Sequence, residues 1–206
     1  MIAISPPQTL NTNRLRLRQW LSADFSPFAQ LNADPRVMEY FPDTLDTQAS
    51  NALAIRIQTF IAQRGWGFWA VDELTSERFI GFVGLYQPTY ALPFGPCVEI
   101  GWRLAFDHWG KGYATEAATA ALAFGFEHLK LQEVVSFTTL SNRRSRAVME
   151  KIGLHNSGEI FEHPLVPEGH PLRPHCLYRL NALQWQAQGA VSGLDRKNKS
   201  PHSILK

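Results

Sequence analysis

Only two of the 206 residues are cysteine, Cys97 and Cys176, and neither belongs to a CxxC or similar ligand spacing. A disulfide framework is therefore not expected, and two isolated thiols suit a reducing compartment, with burial as small hydrophobes their ordinary state. Charge is sparse as well. Asp, Glu, Lys and Arg make up 18% of the chain, against about 25% in an average globular protein. With a net charge of +2, a pI near 8.6 and no basic stripe, the chain lacks the footprint of a nucleic-acid binder. Long apolar runs are missing too. The most apolar stretch, 117–126, lies between Glu116 and Glu127 and is about half a membrane span, and residues 1–10 lack a basic segment followed by an apolar one. A soluble, cytoplasmic chain with no membrane partner is expected. Neither GxGxxG nor GxxxxGK[ST] occurs, which removes the dinucleotide fingerprint and the P-loop.

What is present is core material. Hydrophobic residues make up 45% and aromatics 12%, enough for one domain of ordinary size. The composition turns to Gly, Ser and Lys near Ala187, so a domain over 1–186 and a flexible tail over 187–206 are expected.

Period-two alternation in RLRLRQW, 14–20, predicts a strand with Leu15 and Leu17 inward. Ser22 and Asp24 can cap a short helix, Asp34-Pro35 can start a second through Val37, Met38 and Phe41, and Asp46 can cap a longer one that stops at Gly65. Strand-like runs 68–74 and 79–86 flank a polar turn and predict a hairpin. In CVEIGWRL, 97–104, Val98, Ile100, Trp102 and Leu104 face one way and Glu99, Gly101 and Arg103 the other. A helix over 113–130, a strand over 134–140, a short basic helix over 142–151 and strands at 158–161 and 176–180 complete a mixed α/β sheet with helices on both faces.

The stretch VEIGWRLAFDHWGKGYATEAA, 98–118, is a strand, a tight turn with Gly110 and Gly112, and a helix. Glycines let amides point inward, and the first helical N–H groups have no internal partner, so together they can cradle phosphates. A bare strand-to-helix turn has the same glycines. In context, however, WGKGYATEA resembles the pyrophosphate loop of the GNAT acetyltransferases, in the form found in their RimJ/RimL branch, which acts on ribosomal proteins. The resemblance runs from about Asn13 to Leu180 through TNRLRLRQW, VEIGWRL, NRRSRAVMEKIGL and HCLYRL.

The resemblance implies the GNAT fold, a mostly antiparallel sheet of about seven strands with one splayed parallel pair, and acetyl-CoA as co-substrate. The cofactor-binding positions it marks are Leu104, whose backbone would pair with pantetheine, then Trp109, Gly110, Lys111, Gly112, Tyr113, Ala114 and Thr115 in the loop. Asn142 and Arg146 follow at the later helix, where Arg143 and Arg144 are further phosphate candidates or simply solvated cations. Trp109 departs from the family's Gln/Arg, so a salt link from that position is impossible.

Amide formation needs a neutral amine and a proton for the departing thiolate. Glu99 stands where some GNAT enzymes carry a catalytic glutamate. It is the first candidate base, with an ion pair to Arg103 as its alternative and Glu162 and His163 as reserves. Ser145 is the candidate acid, leaving room for water, and Asn142 and Ser145 can equally serve as helix caps. The spacing of His163, His170 and His175 fits no compact zinc pattern, so no metal is expected. The implied activity is transfer of the acetyl group of acetyl-CoA to a primary amine, a protein N-terminal α-amine or a small molecule, by a monomer or homodimer. The competing reading is a catalytically silent acyl-CoA-binding sensor.

Overall fold

The computed structural model describes residues 7–188. Its strands are β1 (Leu10–Asn11), β2 (Leu15–Arg18), β3 (Phe68–Glu73), β4 (Arg78–Tyr86), β5 (Glu99–Leu104), β6 (Glu133–Thr139), β7 (His155–Glu162) and β8 (Pro174–Asn181). They form one sheet in the order β1-β2-β3-β4-β5-β6-β8-β7. Every neighbouring pair is antiparallel except β5 and β6, which run parallel and share a single register pair, Glu99 with Val135. Beyond that pair the two strands separate.

The helices are α1 (Phe25–Ala33), α2 (Thr47–Arg64), α3 (Tyr113–Ala123) and α4 (Arg143–Lys151). Asp46 caps α2 by accepting the Ala49 N–H at 2.7 Å, and Gly65 closes it. Leu15 and Leu17 are fully buried, as their alternation predicts.

Cross-strand register assigns the two faces of the sheet, because directly opposed residues project together. Phe82, Gly84 and Tyr86 of β4 oppose Arg103, Gly101 and Glu99 of β5. This face is covered at the β3–β4 end by the aromatic cluster of Trp20, Phe28, Phe79 and Phe82 beneath α1. On the other face Ile80, Val83, Leu85, Ile100, Leu104 and Val134 are buried with Ala117, Ala118, Ala121 and Leu122 of α3 in the main core. Helices thus lie on both faces of a mixed α/β sheet, as expected, though with eight strands.

Two expected helices differ. Residues 34–41 form turns, not a helix. The Asp34 carboxylate accepts the Arg36 backbone N–H at 2.9 Å and its guanidinium at 2.6 Å, a local bond that competes with helical continuation. The helix expected over 113–130 ends as α at Ala123 and continues as a π turn, Phe124–His128, and Lys130 stands at φ 55°, a conformation that stops a helix. A last helix over 182–188 stacks Trp185 on Phe126 at 5.5 Å. It carries residues 187 and 188 of the expected tail; the rest of that tail lies outside the described residues.

Candidate active site

The turn between β5 and α3 is built by paired side chains outside it. Glu116 in the first turn of α3 accepts from Thr12 at 2.6 Å and from the Arg14 backbone at 2.9 Å. Arg14 in turn donates to the Lys111 carbonyl at 3.0 Å. The Tyr113 ring is buried and its hydroxyl donates to Glu73, so Tyr113 can offer a ligand only its backbone N–H. Gly110 and Gly112 stand at φ 73° and 81°, and Gly112 is the N-cap of α3 with no side-chain cap over it. The first protein bond of the helix is Glu116 N–H to Gly112 C=O at 3.0 Å. The N–H groups of Gly112, Tyr113, Ala114 and Thr115 therefore have no acceptor among the described residues, which is the electropositive cradle that phosphates require. Thr115 and Ala114 are half-buried and Lys111 is exposed.

Trp109 fills the position where the family's side chain differs. Its indole N–H donates to the Leu104 carbonyl at 2.8 Å, its ring contacts Phe106 at 5.2 Å, and the Arg144 guanidinium lies 4.9 Å from its centroid. A cation thus reaches the loop from α4 although residue 109 carries none. Arg144 also pairs with Glu39, which ties α4 to the segment between α1 and α2. Neither contact is legible in the linear pattern, since each joins residues far apart in the chain.

The opening between β5 and β6 is the second part of the site. At its closed end the Val135 N–H bonds to the Val98 carbonyl at 3.0 Å, and a little further Ser136 Oγ donates to the Ile100 carbonyl at 2.9 Å. Leu104, at the open end, already receives the Trp109 indole. On the far side of the opening Asn142 caps α4: its Oδ1 accepts the Ser145 N–H at 3.0 Å and its Nδ2 donates to Thr138 Oγ1 at 3.0 Å. The capping alternative thus describes the geometry, and one Nδ2 hydrogen stays unused. The half-buried Ser145 hydroxyl makes no hydrogen bond among the described residues. Arg146 is turned back, with Nε donating to Tyr178 Oη at 3.2 Å and Nη1 to the Leu140 carbonyl at 3.3 Å.

Glu99 occupies the last paired position before the strands part. It forms no ion pair with Arg103, and burial pushes its carboxyl up to about 8. Tyr90 lies beside it and leads to a pair of histidines, an association that sequence spacing did not reveal. Tyr90, desolvated and beside Glu99, has its phenol raised, and its hydroxyl lies 3.4 Å from His163 Nε2. His163 Nδ1 accepts the Leu165 N–H at 3.2 Å, so the neutral ring carries its proton on Nε2 toward Tyr90. Burial, and then the nearby His175, hold His163 down to about 4. His175 donates from Nδ1 to the Arg173 carbonyl at 2.9 Å, and the two rings are 4.7 Å apart. The reserve candidate Glu162 instead pairs with Arg173 at 2.9 Å and is exposed. His170 accepts the Leu172 N–H, apart from this cluster. No group of three or more metal-ligating side chains occurs among the described residues, and no helix there is long and apolar enough to cross a membrane.

A strand that splays from its parallel neighbour beside a phosphate cradle is the arrangement of an acyl-CoA-dependent transferase. Residues 14–155 match the family model described as "Acetyltransferase (GNAT) domain". The uncharacterized Bacillus subtilis protein YkkB is 32% identical over 152 residues, covering 73% of this chain and 87% of that one. The Aspergillus fumigatus FsC-acetyl coenzyme A-N(2)-transacetylase is 32% identical over 174 residues, 78% of this chain and 70% of that one. The crystal structure of an acetyltransferase from Agrobacterium tumefaciens superposes with a TM-score of 0.67 at 31% identity, covering 88% of this chain and 98% of that one. The chain belongs to the GNAT acetyltransferases and is an acetyltransferase enzyme; the co-substrate of this family is acetyl-CoA.

Proposed function

We propose that this enzyme transfers the acetyl group of acetyl-CoA to a primary amine by direct attack in a ternary complex, with Glu99 as base and Ser145 as acid. The observation that carries the reading is the position of Glu99: a desolvated carboxyl at the point where β5 parts from β6. The pyrophosphate would lie on the amides of Gly112, Tyr113, Ala114 and Thr115, with Gly110 and Gly112 allowing close approach and Lys111 and Arg144 near the phosphates, whereas Arg146, turned back to Tyr178 and Leu140, would not reach them. Trp109 contributes a platform for Arg144. Pantetheine would enter the opening past Leu104 and Asn142.

In the reaction the amine nitrogen attacks the thioester carbonyl, a C–N bond forms and the C–S bond breaks. The proton lost by nitrogen passes to the Glu99 carboxylate. The CoA sulfur takes its proton from the Ser145 hydroxyl, which is restored by water. A carboxyl pushed up to about 8 has a proton affinity close to that of an α-amine, about 8, and nearer that of a lysine amine, about 10.4, than an ordinary carboxylate has. An arriving ammonium favours the ionised carboxylate and so prepares the base.

The acceptor is a protein N-terminal α-amine or a small-molecule amine, the former supported by the likeness of WGKGYATEA to the RimJ/RimL loop. The test is thiol release from acetyl-CoA across a panel of amines and N-terminal peptides, with Glu99→Gln beside the wild type. No release with any amine, or full turnover by Glu99→Gln, overturns the reading.

A further inference from the structure

Arg103, half-buried, has a different environment from Arg18, which is also half-buried. Arg18, for comparison, is paired with both Asp24 and Asp72. Arg103 has no carboxylate partner among the described residues. Its Nη1 donates to Asn32 Oδ1 at 2.6 Å, and Asn32 is itself fixed by Nδ2 donating to Ser50 Oγ at 2.9 Å, both residues fully buried. The guanidinium lies 4.2 Å from the centroid of Phe41 and 5.5 Å from that of Phe82, and its Nε is buried without a hydrogen bond among the described residues. Burial lowers its proton affinity to about 10. The buried Asn32–Ser50 pair thus holds a half-buried cation in an aromatic box with no anion among the described residues, although a partly desolvated charge without a counter-ion is costly to keep. Uncompensated groups of this kind cluster where ligands bind.

Glu99 and Arg103 project from the same face of β5, on either side of Gly101, and at ~3.3 Å per residue their Cα atoms are ~13 Å apart. The half-buried Phe68 ring, 3.2 Å from where a Cβ on Gly101 would stand, and the Tyr86 ring stacked on it at 5.2 Å make an apolar floor between them. We propose that the amine acceptor carries a carboxylate several bonds from its amine, and that Arg103 receives that carboxylate while the amine lies at Glu99. The inference rests on the transferase reading above and narrows its acceptor. Such a zwitterion supplies both half-buried groups with a counter-ion at once, which a simple amine cannot do.

The experiment compares γ-aminobutyrate, ε-aminocaproate and longer ω-amino carboxylates with their amides, and short peptides bearing Asp with the same peptides bearing Asn. Acetylation is read by thiol release, and binding to the CoA-saturated protein is read by calorimetry. The carboxylate member is expected to exceed its amide in kcat/KM and in affinity by about tenfold or more at the best length. Arg103→Gln should bring that ratio to about one, and Arg103→Lys should keep part of it, because the charge stays while the planar fork is lost. The arm that shows the preference identifies the source, a small molecule or an acidic peptide. An undiminished acetyl-CoA-induced rise in thermal midpoint controls for folding of each variant. A ratio near one for the wild type in both arms, or an unchanged ratio in Arg103→Gln, overturns the proposal. If nothing is acetylated the transferase reading fails, and the calorimetric ratio alone still decides Arg103.

Discussion

At the level of single residues, the proposed chemistry turns on Glu99. Its carboxyl has an ordinary value of 4.5 and is pushed up to about 8 by burial, so folding opposes its ionisation. The folded form binds the extra proton between those two values, and the protein loses stability as pH rises through this window. Glu99→Gln removes that penalty: its thermal midpoint should match the wild type near pH 4.5 and exceed it above pH 8. Turnover should move the other way, falling about 100-fold to 10,000-fold near neutrality, with less loss at high pH, where the amine deprotonates unaided. A variant that gains stability but keeps full activity would identify Glu99 as a structural carboxyl only. Ser145→Ala should lose turnover mainly below the thiol's own value, about 8.5 by analogy with cysteine, and approach the wild type above it in pH–rate profiles.

At the element scale the turn into α3 carries the binding claim. Gly112 stands at φ 81°, which a β-branched residue adopts only with strain, and a Cβ there would stand 3.5 Å from Arg14 Nη2. Gly112→Val should therefore displace the amides of the first turn and abolish the acetyl-CoA-induced rise in thermal midpoint, while circular dichroism stays that of the wild type. Normal binding by this variant would move the pyrophosphate elsewhere. Trp109→Ala should raise the KM for acetyl-CoA by about tenfold, since it removes a cation–π platform and one hydrogen bond, each worth about 0.5 to 1 kcal/mol. An unchanged KM would leave Arg144 and the Leu104 carbonyl without a part in binding.

At the scale of the whole molecule, stability and site are largely separate. A cavity lined by Arg16, Arg18, Asp24, Asp72 and Arg78 lies on the β2–β3 side of the sheet. Arg18 there pairs with Asp72 at 2.5 Å and Asp24 at 2.7 Å, and both carboxylates are almost wholly buried. Asp72→Ala should cost about 1.5 to 3 kcal/mol in denaturant titrations, because Arg18 keeps Asp24 but loses its charge-assisted hydrogen bonds to a second buried carboxylate. A loss below about 1 kcal/mol would mean that the pair is solvated. The acetyl-CoA response should survive in that variant: ligand at 100 times its dissociation constant adds about 2.7 kcal/mol to the folded state.

The sequence by itself determined the elements that depend on local chemistry. Leu15 and Leu17 face the core because period-two alternation leaves no other register, Asp46 and Gly65 bound α2, and Gly110 and Gly112 turn the chain into a helix whose first amides have no acceptor among the described residues. Asp34-Pro35 does not start a helix because the Asp34 side chain captures Arg36, and the helix from Tyr113 ends short of its side-chain pattern because a π turn keeps that pattern while ending the α ladder. The long-range encounters belong to the tertiary structure alone: the parting of β5 from β6 after Glu99, Arg144 above Trp109, Tyr90 beside Glu99 and against His163, and Arg103 without a carboxylate partner among the described residues. These depend on which strands become neighbours and on what desolvates each charge. A linear pattern records a side chain's type and face, but its partners and its exposure to water are properties of the packed chain.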